Sequence, residues 1–156
     1  MATERERKFL VTGDGWRDAV TRERDIRQGY LASTERAAIR IRISDGSKAM
    51  LTIKSAVAGI ERAEFEYEVP LADGEAMFAL CIGSVIEKRR YVLPARAGLV
   101  WEVDVFRGDH AGLVLAEIEL PEAGIVFERP DWLGREVTGD RRYYNASMAL
   151  GEGARD

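Results

Sequence analysis

The feature that most constrains this chain is a charge pattern with a period of two. In "AAIRIRIS" (37–44), Ile39, Ile41 and Ile43 alternate with Arg40 and Arg42. The same alternation gives Glu64, Glu66 and Glu68 in "RAEFEYEVP", Lys88 and Arg90 in "SVIEKRRYVLP", Glu102 and Asp104 in "LVWEVDVFRG", and Glu117 and Glu119 in "LVLAEIELP". The opening run places Glu4, Glu6 and Lys8 at alternate positions, and "AMLTIKS" adds Lys54. Successive side chains of a strand point to opposite faces, so each set shares one face of its strand, with aliphatic or aromatic residues on the other.

An antiparallel sheet with one wet side gives such alternation too. Solvated faces, however, mix signs, because opposite charges across strands attract and like charges repel. Here the signs segregate by strand, which is tolerated best where something external neutralises them. Acid clusters alone would suggest calcium, and basic clusters alone a polyanion. Both on neighbouring runs suggest a polyphosphate gripped by cations, with a divalent metal between its oxygens and the carboxylates.

Strand-like runs dominate: 7–11, 37–44, 49–55, 62–70, 84–94, 99–108, 113–121 and a last short one near 135–143. Asp45-Gly46 marks a hairpin between the second and third. Helices are expected near 14–21, over 74–82 with Asp73 as N-cap and Gly83 as stop, at 121–128, and from Asn145 to Gly151, with a frayed tail beyond. The expected class is therefore mainly β (α+β): a closed eight-stranded antiparallel β-barrel with a few short helices packed outside. About eight strands is the size at which a barrel interior holds one small ligand. The 156 residues suit one domain, assigned to 1–150.

Composition removes several alternatives. A net charge of -4 argues against nucleic acid as a partner. Cys81 is the single cysteine, so neither an internal disulfide nor a thiolate cage can form, and it reads as a small buried hydrophobe. His110 is the single histidine, which excludes a two-histidine metal site. No apolar run approaches the ~20 residues of a membrane span, and the expected location is cytoplasmic.

Taken in order, Glu4-x-Glu6-x-Lys8, "QGYL", "RIRISDG", "LTIKS", "RAEFEYEVP", "IEKRRY", "WEVDVF", "GLVLAEIEL" and "WLGREVTGDRRYYN" resemble the CYTH superfamily, the triphosphate tunnel metalloenzymes. The closest likeness is to the short bacterial tripolyphosphatase-like members. The resemblance implies a tunnel that hydrolyses or cyclises triphosphates with Mg2+ or Mn2+. It gives Lys8, Arg40, Arg42, Lys54, Lys88 and Arg90 as phosphate contacts, and Glu4, Glu6, Glu117, Glu119 and Asp104 as metal-side carboxylates. Lys8, Lys88, Glu64 and Glu66 are the expected catalytic residues, the last two near a second metal or the attacking water. Arg89 should face outward. Inorganic tripolyphosphate is the expected substrate, a small-molecule partner that needs no platform for a base. Alternatives are an organic triphosphatase for thiamine or nucleoside triphosphates, a class IV-type adenylate cyclase, and a non-catalytic polyphosphate-binding module. A homodimer is compatible with all of them.

Overall fold

The computed structural model describes residues 2–55, 61–149 and 151, with the side chains of residues 2–4 and 61 outside that description. Nine strands form one sheet: β1 (Ala2–Val11), β2 (Arg22–Ser33), β3 (Ala37–Ser44), β4 (Lys48–Ser55), β5 (Glu61–Val69), β6 (Ile82–Pro94), β7 (Val100–Arg107), β8 (Val114–Glu119) and β9 (Leu133–Glu136). Their order is β5-β4-β3-β2-β6-β7-β8-β1-β9. Every pairing is antiparallel. Strand β1 is shared: Ala2–Arg5 pairs with β5, while Glu6–Leu10 pairs with β8. Between β3 and β4, Asp45 and Gly46 have φ of 51° and 66°. Two successive positive values are what a type I′ hairpin turn requires, and Asp-Gly supplies them at least cost.

The expected count of eight strands is corrected to nine. The strand that the sequence did not announce is β2, "RERDIRQGYLAS", which lies between β3 and β6. Its buried residues Ile26, Gln28, Gly29 and Tyr30 fall on both faces, and polar residues among them blur the alternation. Gly29 is required here, since a Cβ would meet Cys81 Sγ at 2.5 Å.

Two flanking segments also differ from expectation. The stretch 121–128 forms no helix: Gly124 has φ of 80° and the chain runs irregularly to Pro130, laying Ile125 and Phe127 on the outer face of the sheet. The last strand is only Leu133–Glu136, pinned to β1 by the Arg7 guanidinium, whose Nε and Nη2 donate to the Glu136 carboxylate at 2.8 and 2.6 Å. Helix α1 (Leu71–Met77) begins at Pro70 rather than Asp73 and continues as a 3-10 turn to Leu80. The expected fraying of the tail concerns residues that, Gly151 apart, lie outside the described ones.

The apolar residues divide into three clusters. Two lie on the outer face. One joins Phe9, Trp16, Trp101, Val103 and Ile118, with Phe127 and Trp132 packed on it. The other joins Ile41, Ile43 and Ala49 under α1, with Met77, Phe78 and Cys81. The third lies on the opposite face and contains Tyr30, Ile86, Phe106, Leu115, Met148 and Ala149. Helix α2 (Asn145–Ala149) therefore does not pack outside as expected. It fills the concave side with Met148, because that end of the interior is apolar rather than charged.

Glycine at 74 lets α1 approach the sheet: a Cβ there would stand 2.5 Å from the Ala49 Cβ. Gly74→Ala should therefore lower stability by about 1–3 kcal/mol through overpacking. Urea unfolding of the two proteins measures the difference, and an unchanged midpoint would show that α1 can simply shift.

Candidate active site

Above the cluster floored by Met148, the concave face is charged. Alternation carries the side chains there: Arg40 and Arg42 from β3, Lys54 from β4, Glu64 and Glu66 from β5, Lys88 and Arg90 from β6, and Glu117 and Glu119 from β8 all line one cavity of about 250 Å³. Lys8 and Glu6 of β1 complete that set. The Glu4 side chain lies outside the described residues. Arg89, one residue out of phase, pairs instead with Glu23 and Asp25 on the outer face, at 2.5 and 2.9 Å.

The resemblance puts Asp104 among the metal-side carboxylates. It is 1 % exposed and does not line the cavity. Arg90 donates to both its oxygens through Nε and Nη2, at 2.7 and 2.8 Å, and Lys88 Nζ stands 2.7 Å from Oδ2. The carboxylate is thus the shared counter-charge of two buried cations. Their attraction and the Arg90 fork hold Asp104 below the usual carboxylate range although burial opposes its charge.

A second polar chain ties the cations to the C-terminal helix. Asn145 Oδ1 accepts from Gln28 Nε2 at 2.8 Å and from Lys88 Nζ at 3.2 Å, and Gln28 Oε1 accepts from Arg42 Nε at 2.8 Å. Lys8 Nζ donates to the Tyr143 carbonyl at 3.0 Å and stands 3.4 Å from Glu117. Sequence reasoning placed Glu102 on the charged face without a role, and missed Gln28, Asn145 and Arg62. Arg62 and Glu102 continue the alternation of Glu64 and Asp104, so that signal was present. Gln28 and Asn145 carry no such mark.

The cations are unevenly compensated. Burial pulls the Arg42 guanidinium down to about 9, helped by the neighbouring charges of Arg40 and Arg90. Lys88 is pushed down to about 7 by burial, with Arg90 and Arg42 adding to it; Asp104 at 2.7 Å opposes the fall without reversing it, since Arg90 shares that carboxylate. Lys8 moves the other way: burial works against its charge, but Glu117 and Glu6 outweigh it. Among the described residues no partner reaches the buried Arg40 Nε or the Tyr144 hydroxyl. A crowded set of buried cations with an unpaired donor is chemistry suited to an anion.

The carboxylates are arranged to complement it. Glu6 and Glu119 are register partners across β1 and β8, and Glu117 faces Lys8. The Glu6 and Glu117 side chains lie within hydrogen-bonding reach, and Glu117 is held well below its ordinary range, against burial, mainly by Lys8, Arg90 and Lys88. Two carboxylates this close are relieved by a shared cation. Among the described residues no three acidic, histidine or cysteine side chains converge on a point. A hard divalent ion held by one or two of these carboxylates would fill its shell with water and phosphate oxygens.

Comparison with known proteins agrees with this geometry. Residues 2–146 match the CYTH domain, and the chain belongs to that family. It is 44% identical over 95% of its length to an inorganic triphosphatase of Acetivibrio thermocellus, covering 94% of that protein. It is 38% identical over 95% of its length to an inorganic triphosphatase of Nitrosomonas europaea, covering 97% of it. A crystal structure of an inorganic triphosphatase superposes with a TM-score of 0.71 at 33% identity, over 99% of both chains.

The titration of Lys88 gives a direct test of the anion site. The lysine is charged below about 7, and a bound polyanion favours the charged form and raises that value. Tripolyphosphate binding should therefore take up a proton between about pH 7 and 9. Calorimetry in buffers of different ionisation enthalpy measures it, and Lys88→Met should abolish most of the uptake.

Proposed function

We propose that this protein hydrolyses inorganic tripolyphosphate to pyrophosphate and orthophosphate in a metal-dependent reaction inside its charged interior. The pairing of Ala2–Arg5 with β5 supports closure of eight strands into a tunnel, with β9 added to β1. The tunnel would constitute a single domain over 1–150. The observation that carries the functional reading is the under-compensated cation set of buried Arg40 and Lys88 with half-buried Arg42, facing a carboxylate cluster across one cavity.

In this reading Arg40, Arg42, Lys54, Lys88, Arg90 and Lys8 grip the phosphate chain. The arginines bind bidentately and the lysines act as point charges. Glu6, Glu117 and Glu119, with Glu4, would hold Mg2+ or Mn2+, which when bound supplies charge neutralisation to the phosphate oxygens. Glu64 and Glu66 orient the attacking water and accept its proton. The bond from the terminal phosphorus to the bridging oxygen breaks, and the pyrophosphate leaves with the electron pair. Lys8, Lys88 and Arg90 stabilise the charge that develops there. Phosphoryl transfer proceeds through a loose transition state, so positioning and neutralisation supply most of the acceleration. Asp104 positions Lys88 and Arg90.

The aromatic residues favour tripolyphosphate over a nucleotide. Trp16 and Trp101 belong to the outer cluster. Tyr144 lines the cavity, but Arg62 lies over its ring at 4.2 Å from the centroid. A base would have to displace that cation to stack on Tyr144, and Tyr30, which also lines the cavity, is 5 % exposed within the apolar floor.

A phosphate-release panel tests the substrate: tripolyphosphate should turn over faster than ATP, thiamine triphosphate or pyrophosphate, and only with metal. Faster ATP turnover, or cyclic AMP among the products, would overturn the ranking. Glu117→Gln and Glu119→Gln should each cut turnover by about 100-fold or more, Glu117→Gln with a loss of stability as well because it removes the counter-charge of buried Lys8, while Arg89→Ala stays near the parent. Asp104→Asn separates positioning from metal binding. It strands two buried cations and should cost about 3–5 kcal/mol of stability, read in urea unfolding without metal. A carboxylate engaged by metal alone would show no such loss.

A further inference from the structure

A second charged cavity, of about 370 Å³, opens beside the β3–β4 hairpin. Arg40, Arg42 and Glu66 line it as well as the first cavity, so the two are adjoining sections of one interior. Arg24 of β2 and Ser44, Ser47 and Lys48 of the hairpin supply most of its remaining wall. These residues lie at the far end of β3 from Ala38, which packs against the cluster containing α2. The hairpin cavity is therefore at the end of the interior away from the C-terminal helix.

Its charge balance is positive: Arg24, Arg40, Arg42 and Lys48 face only Asp45 and Glu66. Asp45 is already engaged, since its Oδ1 accepts the Asp25 backbone N–H at 2.8 Å. Arg24 reaches Glu102 only at 3.5 Å, with both side chains about a third exposed, so that pair compensates it weakly. Arg40 is 7 % exposed, and among the described residues its Nε has no partner. The turn is fixed by its two positive φ values, and Ser47 Oγ donates to the Ser44 carbonyl at 3.3 Å. Cationic donors, with the Ser44 hydroxyl beside them, are thus presented on a rigid corner. Forked guanidinium groups beside a hydroxyl suit a tetrahedral oxyanion.

We propose that the hairpin cavity is a separate binding site for orthophosphate, which the released product occupies before leaving by the hairpin end. The identity of the anion as product rests on the tripolyphosphatase reading; the binding itself does not. Released phosphate then moves along a continuous cationic wall, from Arg40 and Arg42 to Arg24 and Lys48, while the first cavity is freed for the next substrate.

The test uses the intact protein and inorganic phosphate. Calorimetry of the metal-free protein with orthophosphate should show a binding component weakened about tenfold by Lys48→Glu and less by Lys48→Gln, the scale of one charge-assisted contact. Orthophosphate should inhibit tripolyphosphate turnover in a mixed rather than competitive pattern, and Lys48→Glu should relieve it while KM stays within about twofold. Strictly competitive inhibition, or an orthophosphate affinity unchanged in Lys48→Glu, would overturn the proposal. A tenfold rise in KM would overturn it too, making the hairpin end the substrate entrance. A protein that binds orthophosphate in this Lys48-dependent way but never hydrolyses tripolyphosphate would sink the enzymatic reading and leave the site standing.

Discussion

The shared hold of Asp104 on Lys88 and Arg90 is the interaction on which the rest of the structure depends. Two cations 1 % and 6 % exposed sit beside a carboxylate 1 % exposed. Removing three such charges from water costs several kcal/mol each before any pairing is counted. That cost is tolerable only where geometry is close to ideal, and the Arg90 fork at 2.7 and 2.8 Å supplies it. Because polar groups occupy the concave face, the large hydrophobic residues are driven to the convex one. There they need covers: α1 over Ile41 and Ile43, and the irregular 121–133 stretch over Phe9 and Trp101. The inside-out character of the sheet follows from its charges.

Much of this was legible in the sequence because alternation reports which face a side chain takes. Arg40 and Arg42 against Ile41 and Ile43, or Lys88 and Arg90 against Arg89, needed no coordinates. Alternation does not report depth along the strand or what stands across the sheet. Asp104 and Glu102 share a face and read as equivalent, yet one is buried under Arg90 and Lys88 while the other lines the cavity. Strand β2 was illegible for a different reason. A strand paired on both sides, with Gln28 and Gly29 buried beside Ile26 and Tyr30, gains its stability from neighbours rather than from its own pattern. Helix α2 reads as a surface helix by its Asn145 start, and only the fold reveals that Met148 has an apolar floor to fill.

The segregation of sign by strand becomes a segregation of walls. Strands β7, β8 and β1 adjoin in the sheet and bring Glu102, Asp104, Glu117, Glu119 and Glu6 together. Strands β3 and β4 adjoin on the other side and bring Arg40, Arg42 and Lys54. Strand β6 stands beside the acidic wall, which is where its two cations find Asp104. The exception is β5, whose Glu64 and Glu66 lie next to the basic wall, with Glu64 3.5 Å from Lys54.

The protonation preferences follow the same division and give it chemical meaning. Cations against the acidic wall are over-compensated: Arg90 and Lys8 are both raised despite burial. Arg42, away from that wall, is lowered to about 9, and Lys88, sharing Asp104 with Arg90, falls to about 7. An anion entering the interior therefore gains most by lying against Arg42, Arg40 and Lys88, where positive charge is least compensated. Its other side then faces Glu6, Glu117 and Glu119, with which it can coexist only through a cation. Substrate and metal are thus each required by the charge that the other leaves exposed, so occupancy by one without the other should be weak.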